Sequence, residues 1–490
     1  LKRSKFNLSN YKLLTCDMGE LVPIGCVEAL PGDTFQHHTS LLVRTSPLNA
    51  PVMHPVQARV HHFFVPYRLI WSDWEDFITG GSDGNNASTP PTITPNTGSG
   101  FAVGSLADYL GVPPGIDDLP VSALPFRAYA LIWNEFYRDQ DLETELTIDL
   151  TDGADTTTNT TLKNCCWEKD YFTSARAWTQ KGTAVSLPLG TSAPIHHNAA
   201  DGVDVTVYSD VNATYKRLRA DLTSVAASAT TDTTEASRLY TNLSSATSAT
   251  INELREAFAL QRYKEARARY GSRYTEYLRY IGVRPADERL QRPEYLGGGK
   301  QTIQFSEVVQ SGVTTSGAGA GPGVLKGHGI GAMRSNRYRK FFPEHGLVLS
   351  LLSVRPKTMY AKGLSKMWSR STKEDFFQQE LQHIGQAEIL NKEVYWGHAT
   401  PNGVFGYQDR YDEYRRVESS IAGEFRESTL DFWHMARIFT SDPALNSTFV
   451  SCVPTERIYQ STTTDSLQIM ANHSLVARRQ LAQVGTSNTF

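Results

Sequence analysis

The chain has 490 residues, a formal net charge of -3, a hydrophobic fraction of 40% and an aromatic fraction of 10%. That content supports a sizeable core and excludes a disordered chain. The near-neutral charge excludes a globally basic nucleic-acid coat, though not a locally basic face. The length suggests about three domains, but large β proteins exceed that prior without dividing. Five cysteines (Cys16, Cys26, Cys165, Cys166 and Cys452) are odd in number and lack metal spacing, as expected of reduced thiols in a cytoplasmic assembly environment. No apolar stretch is long enough to span a bilayer and no signal peptide opens the chain. It starts at Leu1 without a methionine, so processing or further N-terminal sequence is expected.

Residues 1–15 read as a basic N-terminal arm: Lys2, Arg3, Lys5 and Lys12 precede the first acidic residue, Asp17. Strands are predicted at 20–30 and 34–46, joined by the turn chemistry of Pro31, Gly32 and Asp33. From Val56 to Phe64 the residues alternate as a strand with two different faces, and Pro66 removes the donor needed to continue it. Ile70, Trp71, Trp74, Phe77 and Ile78 then recur at helical spacing, with Gly80 and Gly81 closing the helix. Residues 81–105 turn to Gly, Ser, Thr, Asn and Pro, a surface loop. A second helix is predicted at 126–138, burying Tyr129, Ile132, Trp133 and Phe136, and another polar stretch covers 152–161. Both aromatic helices are expected in the core more than at an interface.

Residues 184–250 form a polar insertion whose Ser-, Thr- and Ala-rich part, 220–250, cannot offset its ordering entropy by burial alone. The segment 251–292 is helical, with Gly271 expected to break it in two. Period-two patterning returns after Gln301 through Ile303, Phe305 and Val309. Residues 317–331 read as a glycine-rich loop, and 347–354 as a strand buried on both faces. A helix is predicted at 376–390, and strands at 448–453, 457–460 and 466–476. Strands at both ends with helical and polar insertions between them predict a mainly β, two-sheet sandwich with long insertions.

Catalytic and metal signals are weak. The pairs His37-His38, His61-His62 and His196-His197 would each split across a strand, so they read as structural and not as ligands. Cys165 and Cys166 read as packing. Gly297, Gly298, Gly299 and Lys300 lack phosphate-loop spacing; Gly327, Gly329 and Ala332 match GxGxxA without a βαβ context, and both runs read as flexible loops. No nucleophile has a local base, and no cofactor is expected. Two basic clusters fit single-strand nucleic acid, with cations for phosphates and aromatic faces for bases. These are Lys2, Arg3, Lys5 and Lys12, and the run Arg334, Arg337, Arg339 and Lys340 interleaved with Tyr338, Phe341 and Phe342. Solvated faces or intersubunit salt bridges are the alternative for each.

Six long strings then carry a resemblance across the chain: CDMGELVPIGCVEALPGDTF (16–35), PVMHPVQARVHHFFVPYRLIWSDWEDFITGG (51–81), LPFRAYALIWNEFYRDQDL (124–142), WEKDYFTSARAW (167–178), GSRYTEYLRYIGVRPADERLQRPEYLGGGK (271–300) and DFWHMARIF (431–439). In this order they resemble the major capsid proteins of the Microviridae, in particular the gokushovirus branch. The resemblance implies one eight-stranded viral jelly roll spanning 1–490 that assembles into a T=1-type icosahedral shell around circular single-stranded DNA. It implies as partners other copies of the chain, a small basic DNA-packaging protein, an internal scaffolding protein, a pilot protein and a bacterial surface receptor, with no membrane insertion. It places the protein in the virion, assembled in the host cytoplasm, with the 184–250 insertion as an outer protrusion used in host attachment. The rival readings are a jelly-roll lectin or tail-spike-type protein and, less favoured by the balanced charge, a non-viral single-strand DNA-binding protein.

Overall fold

The computed structural model describes residues 3–95, 98–185, 251–271, 273–284, 286–311 and 323–482, together with the backbone of five strands between 195 and 241. Two compact units result, one of residues 1–179 and 270–490, the other of residues 180–269.

In the larger unit, period-two patterning produces β1 (Ser4–Asn7), β2 (Asn10–Cys16), β3 (Leu21–Ala29), β4 (Thr34–Thr45) and β5 (Val56–Pro66). An insertion follows, holding α1 (Trp74–Thr79), β6 (Thr92–Ile93), α2 (Leu106–Leu110), β7 (Val121–Ser122) and α3 (Leu124–Ile132). The smaller unit contributes β8 (Ile195–His197), β9 (Thr206–Ser209), β10 (Thr214–Ala220), β11 (Val225–Asp232) and β12 (Leu239–Thr241). All but the last residue of α4 (Ile251–Tyr270) belongs to it as well. Its strands pair antiparallel as β11-β10-β9 and β12-β8. The expected protrusion, 184–250, lies mostly outside the described residues.

Gly271, at a left-handed φ of 95°, ends α4 where the break was predicted. The larger unit resumes with α5 (Tyr274–Tyr280), β13 (Glu294–Val309), β14 (Leu325–Arg334), β15 (Tyr338–Phe341) and β16 (Gly346–Pro356). A second insertion carries β17 (Gln386–Leu390), α6 (Asn391–Val394), β18 (Val404–Asp409) and α7 (Ser447–Val450), and β19 (Leu467–Arg479) completes the chain.

One large antiparallel sheet organises this unit. β13 bends through it: residues 304–309 pair with β14, and residues 294–303 with β5. One ladder therefore runs β1/β2-β19-β4-β14 with β15 also on β4, and the other runs β13-β5-β16-β3. The sheet curls until its edges approach, with His473 Nε2 of β19 donating to the Ile24 carbonyl of β3 at 2.9 Å. Val22, Ile24, Leu41, Val43, Val56, Val60, Leu352 and Ile469 fill the space between the ladders. β16 is buried on both sides, because Leu347, Leu349 and Leu351 face a second core made with Phe126, Tyr129 and Ile132 of α3.

Several sequence expectations need correction. The predicted arm is sheet: from Ser4 to Cys16 it is annealed along β19. The two glycine runs are strand, lying within β13 and β14. A Cβ at Gly298 would overlap the Val60 carbonyl, and one at Gly327 would come within 2.5 Å of the Ala50 carbonyl. Glycine here permits close backbone approach and does not mark a loop. Residues 376–390 are not a helix: Gly385, at φ 61°, diverts the chain into β17. At 448–453 the chain forms α7, because the Asn446 side chain accepts from Phe449 N at 3.0 Å and caps a helical turn. Residues 457–460 contribute only a single bridge, Leu48 to Tyr459. The first aromatic helix is split into a 3-10 turn, Tyr67–Leu69, and α1; Ile70 and Trp71 between them are buried, while α1 buries none of its residues. The second ends in a π turn over Trp133–Tyr137.

Two buried polar features hold these layers. Arg127 of α3 and Asp155 pair at 2.8 Å with both side chains fully buried. The same guanidinium donates to the carbonyls of Ile70 and Thr151, each at 3.0 Å, and so ties α3 to the polar stretch. Between the ladders, the pairs His37-His38 and His61-His62 split as alternation requires, with His37 and His62 pointing inward; the side chains of His196-His197 lie outside the described residues. Tyr338 OH lies 3.1 Å from His37 Nδ1, and His37 Nε2 lies 3.2 Å from His473 Nδ1. Because His473 Nε2 must donate to Ile24, its Nδ1 accepts, with Thr39 Oγ1 at 2.9 Å and His37 Nε2 as the donors in reach, and with His37 donating there its Nδ1 accepts from Tyr338. Each imidazole then carries one proton. His62 meets Ser350 Oγ at 2.8 Å and Ser335 Oγ at 3.2 Å.

Two outcomes follow. Arg127→Met should cost about 3–5 kcal/mol in chemical unfolding, since it strands a buried carboxylate; a loss no larger than that of a surface substitution would contradict the role. Burial, reinforced by His473 and His38, depresses His37 to about 3; burial also lowers His473 and holds His62 well below the usual range. The neutral forms belong to the fold and the unfolded chain binds protons near 6.5, so this stability is present above about pH 6.5 and lost as pH falls toward 3. Unfolding free energy measured from pH 7 to 4 should therefore fall less steeply in His62→Gln than in the parent, and equal slopes would reject the cluster as the acid-sensitive element.

Candidate nucleic-acid interface

The inward residues of β4 and β19 close the core, so the intervening ones form an outward face by default. The register sets Thr34, Gln36, His38, Ser40, Leu42 and Arg44 opposite Arg478, Val476, Ser474, Asn472, Met470 and Gln468. On one side β1 and β2 add Lys5, Asn7, Tyr11, Leu13 and Thr15 to these rows. On the other, β14 and β15 add Ile330, Ala332, Arg334, Arg339 and Phe341. These rows contain no Asp or Glu. They contain Lys5, Arg44, Arg334, Arg339 and Arg478, with Tyr11 69% and Phe341 51% exposed among them. One carboxylate at the rim is Asp465, hydrogen-bonded to Thr15 Oγ1.

The structure brings the two sequence-predicted clusters together at one end of this sheet. Arg3 donates from Nη1 to the Gly32 carbonyl and to Thr34 Oγ1, both at 3.1 Å, and its guanidinium lies 5.7 Å from the Phe341 ring centroid. Arg337 donates to Gln36 Oε1 at 3.0 Å. Lys5, Arg334 and Arg339 are exposed. Lys2 lies outside the described residues.

Two predicted cations point the other way. Lys12 lies on the inward row of β2 and donates to the Pro23 carbonyl at 3.2 Å and to the Tyr109 carbonyl, leaving at most one ammonium hydrogen free. Burial lowers its pKa, against the opposing pull of Asp108 and Cys26. Lys340 pairs with Glu294 at 2.7 Å. Of the interleaved aromatics, only Phe341 faces out; Phe342 is fully buried and Tyr338 serves His37.

Sequence reasoning missed Arg44 and Arg478. The signal was present: inward Ile469, Ala471, His473, Leu475 and Ala477 dictate an outward Arg478, and the same count through β4 places Arg44. The field of the face registers on His38, lowered first by burial and then by Arg334 and Arg337. Such a surface, with dispersed cations, no carboxylates in its rows and exposed ring faces, has the chemistry to bind polyanions and stack unpaired bases. All five cysteines are free thiols, and among the described residues no three His, Cys, Asp or Glu side chains converge on a metal position.

Comparison with known proteins bears on what uses this face. The family model described as capsid protein (F protein) matches residues 1–489. Capsid protein VP1 of Bdellovibrio phage phiMH2K is 40% identical over 478 residues, covering 93% of this chain and 89% of its own. Capsid protein VP1 of Chlamydia phage 1 is 34% identical over 549 residues, with 93% and 90% covered. Capsid protein VP1 of Spiroplasma virus 4 is 32% identical over 483 residues, with 91% and 87% covered.

Proposed function

Because the chain belongs to the capsid protein (F protein) family, and is a non-enzymatic major capsid protein of single-stranded DNA Microviridae phages, we propose that it is a jelly roll whose basic sheet face lies against the packaged genome. The protein is a virion component. The lectin, tail-spike and non-viral DNA-binding readings give way to this membership.

The strand order supports the jelly roll. Eight strand positions in chain order are β1/β2, β3, β4, β5, β13, β14/β15, β16 and β19. They pair first-eighth-third-sixth in one ladder and second-seventh-fourth-fifth in the other. Two interleaved Greek keys produce that order. Insertions after β5 and β16 then spread contacts over several neighbours, as a T=1-type shell requires.

The absence of carboxylates from the outward rows of the first ladder is the observation that carries the genome-facing assignment. Arg3, Lys5, Arg44, Arg334, Arg337, Arg339 and Arg478 meet phosphates there, while Tyr11 and Phe341 meet bases. Lys12 and Lys340 contribute charge and little direct contact. The polar insertion at 184–250 forms an outer protrusion that touches the bacterial receptor; its separation as a compact unit and its Ser, Thr and Ala content favour that role. The small basic packaging protein, scaffolding protein and pilot protein enter as assembly partners through family resemblance alone.

Replacing Arg44, Arg334, Arg339 and Arg478 by Gln should leave shells assembling and reduce their DNA content. The salt dependence of oligonucleotide binding should lose about 0.7 in log–log slope per phosphate contact removed. Full genome content with an unchanged slope would refute the assignment, and loss of shells and DNA in equal measure would mark the face as an intersubunit contact.

A further inference from the structure

The second ladder has its own outward face, on the other side of the sandwich. There Arg59 and Phe63 of β5 and Tyr295 of β13 help line a cleft of about 630 Å³, together with the π turn and α5. Its lining holds seven Lys or Arg side chains against four Asp or Glu. Arg59, Lys169 and Arg176 have carboxylate partners. Among the described residues, Arg138, Arg273 and Arg355 donate only to backbone carbonyls, and Arg279 is exposed with no ion pair. The Nε atoms of Arg59 and Arg138 are buried without a hydrogen-bond partner. A desolvated guanidinium N–H lacking an acceptor is costly, so one subunit alone leaves this cleft incomplete.

The missing charge is present elsewhere on the same chain. From residue 69 to residue 162 there are fifteen Asp and Glu and only two basic residues, Arg127 and Arg138. Arg127 is already committed to Asp155. α1 opens this acidic stretch. Asp73, Glu75 and Asp76 form no ion pair among the described residues, and Phe77 and the half-exposed Ile78 lie beside them. An acidic helix with an apolar flank matches a basic cleft floored by rings.

We propose that α1 of a neighbouring copy of this chain seats in the cleft, its carboxylates accepting from the unpaired guanidiniums and its Phe77 and Ile78 packing toward Tyr295. The contact is heterologous, the kind that returns on itself around an axis of a closed shell. It rests on the capsid reading above: with the first ladder turned to the genome, the opposite face is left to neighbours, and carboxylate is favoured over phosphate as the anion. Bidentate guanidinium–carboxylate pairing gives the join direction as well as energy.

The test is a charge exchange in the full chain, read as particle yield. Glu75→Lys with Asp76→Lys, and separately Arg279→Glu, should each lower yield at least about tenfold while leaving the melting transition of the soluble subunit unchanged. Combining them should recover most of the parent yield. As a check independent of the variants, carbodiimide treatment of parent particles should join Lys169 to Glu75 or Asp76 of another copy, and should not do so in free subunits. A combined variant no better than the worse single one, or no such cross-link, overturns the proposal. Normal yield of DNA-poor shells from Arg279→Glu would also overturn it, by assigning the cleft to nucleic acid while the capsid reading stands. Failure of the parent chain to form particles would overturn that reading and this inference with it.

Discussion

The twelve-residue ladder between β4 and β19 is the constraint on which the remaining structure depends. It joins segments more than four hundred positions apart in sequence, and every second residue along it is committed to one side or the other. Its inward residues close the space between the ladders and hold His37, Thr39 and His473 in a neutral hydrogen-bonded chain. Its outward residues have no freedom left but to form the basic face. A one-residue slip would exchange the two sets, driving Arg44 and Arg478 into the core and His473 into solvent. Core and candidate interface are thus one decision about register. Such distant pairing carries a large loop-closure entropy, which slows its formation.

Much of this was legible in the chain. The alternation of β4, β5 and β19, the doubly buried β16 and the break at Gly271 follow from period and glycine chemistry alone. What was not legible turns on partners distant in sequence. Gly298 and Gly327 look like loop residues until Val60 and Ala50 approach them. Residues 376–390 carry a helical pattern that Gly385 overrides, and Asn446 caps a turn where β-rich residues suggested a strand. The candidate interface was half visible: clustering in sequence found Arg3, Lys5 and the 334–340 run, but only pairing shows that Lys12 and Lys340 turn away while Arg44 and Arg478 join. Charge clustered in sequence is a poor guide to charge clustered on a sheet, because alternate residues face opposite ways.

The chain's small net charge hides a strong separation. The stretch from 69 to 162 is acidic, the outward rows of the first ladder are basic, and the cleft on the second ladder holds several guanidiniums without carboxylate partners among the described residues. On the proposed reading, a subunit arranged this way presents one surface to a polyanion and complementary surfaces to its own copies. The same alternation that builds the curled sheet would then also divide labour between genome and shell. No catalytic group is needed for either task.

The central claim, that the first ladder's outward face meets the genome, is tested most directly by ultraviolet cross-linking of intact particles followed by peptide mapping. The account predicts nucleotide adducts on the peptides carrying Tyr11 and Phe341. Adducts confined to other surfaces, with both of these peptides unmodified in DNA-filled particles, would contradict it.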